Sequence, residues 1–240
     1  MAFGTLFLVP TTIAEFGTLP ASSFELLQAA HESGNIICVE DLKPGRRRWI
    51  KWGLPKSAVD HFKLFNEHTS RDLLPELIDH LKSGKNIFLL SDGGTPAFCD
   101  PGQNLVDSCH MNKISVLVFE TDNSVISSLA LSGFSRQNFY FAGFPPKKTD
   151  QRKDFYQLIF TYQTTLVFMD TPYRLTRVLE ELIEYCPNKV QVAVCLDLCR
   201  ESQKTLRGKP EQLLKQLKGQ KREYVIVIDN GDNGTEKNAD

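Results

Sequence analysis

The segment SDGGTPAFCDPG, Ser91 to Gly102, concentrates residue types from which a small-molecule site is built. Asp92 and Asp100 offer carboxylates and Thr95 a hydroxyl, while Gly93 and Gly94 supply backbone that turns at positive φ and lets a ligand approach closely. The apolar run NIFLL, residues 86–90, precedes it without polar alternation, which marks a strand buried on both faces. In open α/β sheets ligands bind beyond the carboxyl ends of strands, where this turn falls. Neither GxxxxGK[ST] nor GxGxxG is present, and two acids would repel a phosphate, so nucleotide polyphosphates and dinucleotides fit poorly. A ligand with hydroxyls, amide-like edges or a positive charge fits better, and S-adenosylmethionine is one. A D-G-G turn followed by a D-P-G helix start is also plain turn chemistry, and that reading has equal weight.

A second strand, NIICV at 35–39, ends in Glu40 and Asp41, placed by the same strand-end rule to accept a proton or orient an acceptor; a solvated turn paired with Lys43 or Arg46 is the plainer reading. Arg46, Arg47, Arg48 and Lys51 alternate with Trp49 and Trp52. Such a helix can hold RNA phosphates and a stacked base, or equally well put its tryptophans into a core. Lys147, Lys148, Arg152 and Lys153 in GFPPKKTDQRK form a second basic stretch, and most such runs are solvated surface. His68 beside Glu67 is a weak candidate base, and Asp170 and Arg174 read as a structural pair.

The elements around these residues alternate between short β-rich runs and helical stretches, an α/β pattern with largely parallel strands. Strands are expected at 5–9, 35–39, 61–65, 86–90 and 114–119, with a helix at 22–33 opened by a Ser22/Glu25 capping box and closed by Gly34, and another at 72–83. The second half continues with a helix at 123–132, a strand at 139–142, a helix from 151, the strand TTLVFM, a helix at 173–185, the strand VQVAVCL, a helix opened by Pro210, and the strand YVIVI. Domains are expected at 1–121 and 122–229, with a ligand cleft between them and a disordered tail at 230–240.

Composition narrows the function classes. With 28 Lys and Arg against 29 Asp and Glu, the net charge is −1, so no overall basic field announces nucleic acid. No apolar run approaches the roughly 20 residues of a membrane span, and the N-terminus lacks a signal-peptide pattern. Six cysteines without a CxxC pair suit reduced thiols in a cytoplasmic protein, and no metal set is expected.

SDGGTPAFCDPG resembles the SDAGTPxxSDPG motif of the ribosomal-RNA ribose 2′-O-methyltransferases in the tetrapyrrole (corrin/porphyrin) methylase superfamily. Further motifs follow in that family's order: GTLFLVPTTI, VEDLKPGRRRWIKWGL, EHTSRDLLPEL, GFPPKK, VFMDTPYRL, VQVAVCLDLCRE and YVIVID, together spanning residues 4–229. The resemblance implies two α/β domains, a mostly parallel N-terminal sheet and a mixed C-terminal one, with S-adenosylmethionine in an interdomain cleft and a homodimer as the usual assembly. It implies donor contacts from Thr12 and Ile13, from Ser91, Asp92, Gly93, Gly94, Thr95 and Pro96, and from Ser124, Val125, Met169, Leu196 and Tyr224. The implied acceptor is a ribose 2′-hydroxyl of ribosomal RNA, with the small ribosomal subunit as partner; Glu40 and Asp41 are the catalytic candidates that the strand-end rule places beside it. Departures from the family pattern include Ala14 for a glycine, TDNSV for PGPSA, and Leu196 for an arginine. They keep open a small-molecule, tetrapyrrole-type methyltransferase and a degenerate donor-binding protein without turnover.

Overall fold

The computed structural model describes residues 2–13, 17–119, 123–134, 138–187 and 190–231. The chain divides into two compact units, Met1–Asn123 and Ser124–Asp240.

The first unit is a five-stranded sheet of β1 (Leu6–Val9), β2 (Ile36–Val39), β3 (Lys63–Leu64), β4 (Ile87–Leu90) and β5 (Val116–Val118) in the order β3-β2-β4-β1-β5. Every pairing is parallel. Its helices are α1 (Ala21–Glu32), α2 (Leu42–Lys51), α3 (Ser70–Lys82) and α4 (Gln103–Met111). The two-residue period of β4 feeds two cores at once. Ile87 and Leu89 pack with Leu77 and Leu81 of α3 and Leu105 of α4. Phe88 and Leu90 point the other way, onto Leu27 of α1 and Trp49 of α2. This explains the unbroken apolar run: a central strand under helices on both faces has no polar side to show.

The second unit holds β6 (Phe139–Phe141), β7 (Thr165–Asp170), β8 (Gln191–Leu196), β9 (Lys204–Gly208) and β10 (Tyr224–Asp229), ordered β6-β7-β10-β8-β9. Only β6 and β7 are parallel, so this sheet is mixed. Phe168, Val194 and Ile226 share one core with α6 (Thr149–Ile159), α7 (Leu175–Tyr185) and α8 (Pro210–Leu217). The opposite face, with Val167, Cys195 and Val227 buried, lies under α5 (Ser124–Ser132).

The fold class agrees with expectation; several elements do not. Helix α1 starts at Ala21 after Pro20 and has no side-chain cap bond, so the Ser22/Glu25 capping box does not form. Helix α2 begins at Leu42 and takes in the LKPG stretch expected as a turn, because the Asp41 carboxylate accepts the Lys43 N–H and Pro44 needs no partner in a first turn. The strand expected at 61–65 contracts to two residues behind a 3-10 turn, Lys56–His61. A 3-10 turn, Pro172–Arg174, precedes α7, and strand β9 was not anticipated. Asn230, assigned to the tail, donates to the carbonyls of Phe160 and Tyr162; residues 232–240 lie outside the described residues.

Gly102, before α4, has φ +135, and a Cβ there would sit 2.7 Å from Leu89 Cδ2. Gly102→Ala is therefore expected to lower stability by about 1–3 kcal/mol, read as a lower thermal midpoint.

Candidate functional site

Parallel pairing brings the carboxyl ends of β2, β4 and β1 to one edge, with β4 in the middle. The turn after β4 is thus flanked by Glu40 on one side and Thr11 on the other, and both hold it. Thr11 and Gly94 exchange backbone hydrogen bonds, Thr11 N to Gly94 O at 2.9 Å and Gly94 N to Thr11 O at 3.0 Å. Buried Thr11 also donates its hydroxyl to Ser91 O at 3.1 Å, and Ser91 Oγ donates to Gly94 O at 2.9 Å. From the other side Glu40 Oε2 accepts the Asp92 N–H at 3.1 Å. Gly94 has φ +89, and neither Gly93 nor Gly94 has any atom within 4 Å of where a Cβ would be, so the face of the turn is open. Just beyond it Ala97 and Cys99, both non-glycine, have φ of 64° and 61°. Such backbone is rarely populated and clusters at ligand sites.

The site is electrostatically loaded. Burial, then the Glu40 charge, pushes the Asp92 carboxyl up to about 6, although Arg48 pulls against them. Burial, then Glu40 and Asp92, pushes Asp100 up to about 7. Arg48 lies within 3.5 Å of Asp92 Oδ1 and donates to Ser91 O at 3.4 Å. A group of carboxylates short of positive charge suits a cationic ligand and disfavours an anionic one.

Sequence reasoning placed Arg48 in a basic row read equally as RNA-facing or as a solvated face, and did not single out Thr11. The helical period separates that row: Gly45, Arg48 and Trp49 share the inner face, leaving Arg46, Arg47 and Lys51 exposed. Trp49 is fully buried, donates Nε1 to Pro55 O at 2.9 Å and meets the Phe62 ring edge-on at 5.2 Å. Trp52 donates to Gly17 O at 3.3 Å. Trp49 belongs to the core and offers no face for a base, while half-buried Trp52 packs against the same core. Asp41 caps α2, and exposed His68 lies 3.4 Å from Glu67. Thr12 and Ile13 continue the loop from Thr11, Thr95 is half-buried, and Pro96 is buried.

In the second unit the remaining expected residues gather at one sheet edge. Tyr224 opens β10 and pairs with Asp170 of β7 on one side and Leu196 of β8 on the other. Met169 donates its N–H to Gly143 O at 2.9 Å, and its sulfur accepts from Ser124 Oγ at 3.7 Å. Val125 is buried beside Ser124 in α5. Among the described residues the buried Tyr224 hydroxyl has no hydrogen-bond partner, which native proteins rarely leave without reason. After Leu196, Asp197 and Cys199 have φ of 46° and 61°, the same two-residue spacing of left-handed backbone found at Ala97 and Cys99. Asp170 and Arg174 do pair, at 3.1 Å.

Among the described residues no helix is long and apolar enough to cross a membrane, and no group of three His, Cys, Asp or Glu could hold a metal ion.

Residues 55–214 match the family model described as tetrapyrrole (corrin/porphyrin) methylases. The ribosomal RNA small subunit methyltransferase I of Streptococcus pyogenes serotype M6 is 32% identical over 220 residues, 89% of this chain and 71% of that protein. The protein of the same name from Halalkalibacterium halodurans is 30% identical over 87% of this chain and 69% of its own length. Among solved structures, the uroporphyrin-III C-methyltransferase of Thermus thermophilus, in complex with the demethylated donor, aligns with a TM-score of 0.58 at 12% identity, covering 95% of this chain and 97% of that one, which speaks for the fold. The chain belongs to the tetrapyrrole methylase family.

Proposed function

We propose that this protein is an S-adenosylmethionine-dependent methyltransferase whose acceptor is a ribose 2′-hydroxyl of small-subunit ribosomal RNA. The observation that carries the donor is the turn after β4: an open diglycine face rimmed by Asp92, Asp100 and Glu40, and held rigid by Thr11 and Arg48. Its charge matches a sulfonium and opposes a polyphosphate. The orphaned Tyr224 hydroxyl is a second fit, since a ligand with polar edges satisfies it. When bound, S-adenosylmethionine supplies a methyl group on positively charged sulfur; the chain's residues hold the partners in line and receive the proton that the hydroxyl gives up.

In this reading Ser91–Pro96, with Thr12 and Ile13, are donor contacts of the first unit, and Ser124, Val125, Met169, Leu196 and Tyr224 are those of the second. Glu40 is the acid beside the acceptor, since its carboxylate already lies against the turn, and Asp41 supports it from the cap of α2. Ribosomal RNA as acceptor is supported by the names of the relatives and by exposed Arg46, Arg47 and Lys51 on α2, which suit phosphates. Six cysteines outside any disulfide fit the reducing cytoplasm, and Leu117 and Val118, 53% and 58% exposed on edge strand β5, fit a contact with a second copy in a homodimer.

Incubation with methyl-labelled donor and small ribosomal subunits, followed by mass spectrometry of the RNA, is expected to find label on one ribose 2′-oxygen. Label absent from RNA would overturn the reading. A visible absorption band in the purified protein would favour a tetrapyrrole acceptor instead.

A further inference from the structure

The carboxyl ends of β6, β7 and β8 and the start of β10 lie at one edge of the second sheet, because β6 runs parallel to β7 while β10 runs antiparallel to both β7 and β8. Two aromatic rings stand in solvent there, Tyr173 at 78% exposed and Phe144 at 52%. Neither has been given a role by the site described above. Tyr173 sits in the 3-10 turn after β7, whose backbone is fixed by Arg174 N donating to Thr171 O at 2.9 Å. The loop carrying Phe144 is tied to the same strand end: Gly143 O accepts the Met169 N–H, and buried Arg152 donates to both Pro146 O and Asp170 Oδ2. Both rings are thus mounted on constrained backbone and largely exposed, which reduces the ordering cost of stacking against a ligand.

The charges around the rings are mostly positive. Lys147 and Lys148 follow Phe144, both exposed. The loop before β10 brings Lys221 Nζ to 5.3 Å from the Tyr173 ring centroid. Segments 143–148 and 218–223 together carry Lys147, Lys148, Lys218, Lys221 and Arg222 against a single acid, Glu223. Asp170 and Asp197 at this edge are already matched, the first by Arg152 and Arg174, the second by Arg222 and the Ser202 hydroxyl. Exposed aromatic faces among lysines are what unpaired nucleotides require: rings stack on the bases and ammonium groups meet the phosphates. A duplex hides its base faces and cannot use them.

We propose that this edge is a docking surface for single-stranded RNA, with Tyr173 as the base-stacking platform and Lys147, Lys148 and Lys221 as phosphate contacts. It rests on the RNA reading above and names the form of RNA that the enzyme grips: unpaired nucleotides flanking the acceptor.

The test is fluorescence anisotropy of the full chain with a labelled 12-nucleotide single-stranded oligouridylate and with a hairpin duplex, over a range of salt. The wild type is expected to prefer the single strand. Tyr173→Ala should weaken that binding about tenfold, within the range for one stacked base, and leave the salt dependence unchanged. Tyr173→Phe should keep wild-type affinity, since the ring face does the work. Lys147→Ala combined with Lys148→Ala should flatten the slope of log affinity against log salt by about 1.4, roughly 0.7 per lost phosphate contact. Thermal unfolding of Tyr173→Ala should match the wild type, because the side chain is exposed. If the wild type methylates small-subunit RNA while Tyr173→Ala shows unchanged affinity and unchanged KM for the subunit, the docking surface is wrong and the proposed function stands. If the wild type prefers the hairpin, the surface is also wrong. Failure of the wild type both to bind RNA and to label it removes the two proposals together.

Discussion

Arg152→Ala is expected to cost about 3 kcal/mol and to lower the unfolding temperature of the second unit by about 10 °C. The side chain is 1% exposed and every donor it has is used. Nε donates to both Glu181 oxygens, Nη2 to Glu181 Oε2 at 2.6 Å, and Nη1 to Asp170 Oδ2 at 2.9 Å and Pro146 O at 3.0 Å. Tyr156 donates its hydroxyl to the same Glu181 oxygen. Truncation takes one of two arginines from each of two carboxylates in a low-dielectric setting, leaving Asp170 with Arg174 and Glu181 with Arg177, and it removes the donor to Pro146 O, which together cost more than losing the attraction alone. Arg152→Lys should recover little, because one ammonium group cannot reproduce a five-donor fork. Lys153→Ala, one residue on and exposed, serves as the control and should stay within about 0.5 kcal/mol of wild type. Burial raises the Glu181 carboxyl, but bonds from Arg152 and Arg177 outweigh it and hold the group below its ordinary value. A depressed carboxyl stabilises the fold above its unfolded pKa, so the gap between wild type and Arg152→Ala should narrow as pH falls below about 4. A gap that stays constant down to pH 3 would show that packing, and not charge pairing, accounts for the loss.

This network also marks where sequence reading stops. Asp170 and Arg174 were legible as a pair because they are four residues apart in one segment; Arg152 and Glu181, on different helices, were not, and Arg152 lay in a stretch that reads as solvated surface. A fully buried arginine gives no local sign of burial, since that depends on partners 18 and 29 positions away. Strand β4 is the opposite case: four apolar residues followed by Ser-Asp-Gly-Gly state their environment outright, and strand and turn fell where expected. Strand β9, KTLRG, went unseen because it is an edge strand with only Leu206 packed against the core, so alternation had almost nothing to act on. In the site, Asp92 and Glu40 were legible as strand-end acids. Thr11 and Arg48 were not, though the means existed for Arg48: once Trp49 is assigned to the core, the helical period puts Arg48 beside it and Arg46 and Arg47 outside. The Ser22/Glu25 box failed for a related reason. Pro20 can end the preceding chain and start α1 one residue early, so the motif sits inside the helix where its side chains have no orphan N–H to reach.

For the reaction itself, Asp92→Asn is expected to reduce kcat/KM for the donor by a factor of at least about 100, the scale on which a preorganised charged group acts at a reacting centre. The substitution keeps size and the backbone N–H bond to Glu40, and removes only the charge. The pH profile follows from the same group of acids. With Asp92 raised to about 6 and Asp100 to about 7, both are protonated at pH 5 and ionised at pH 8, so activity should climb between those values and level off above them. Glu40 is a cause of both elevations, so Glu40→Gln should move the climb to lower pH whatever it does to the maximum rate. Stability should run the other way. A carboxyl raised on folding contributes its stability fully below the unfolded value near 4, and that contribution is lost as pH rises through 6 and 7. Asp100→Asn should therefore be more stable than wild type at pH 8 and indistinguishable from it below pH 4. The half-exposed setting screens the full shift, which leaves a gain of about 1–2 kcal/mol. A variant that is slower yet harder to unfold at pH 8 is what a turn strained for binding a cation produces. If Asp100→Asn instead unfolds more readily at pH 8, its carboxylate is a structural partner within the turn, and the surplus of negative charge there has no claim on a ligand.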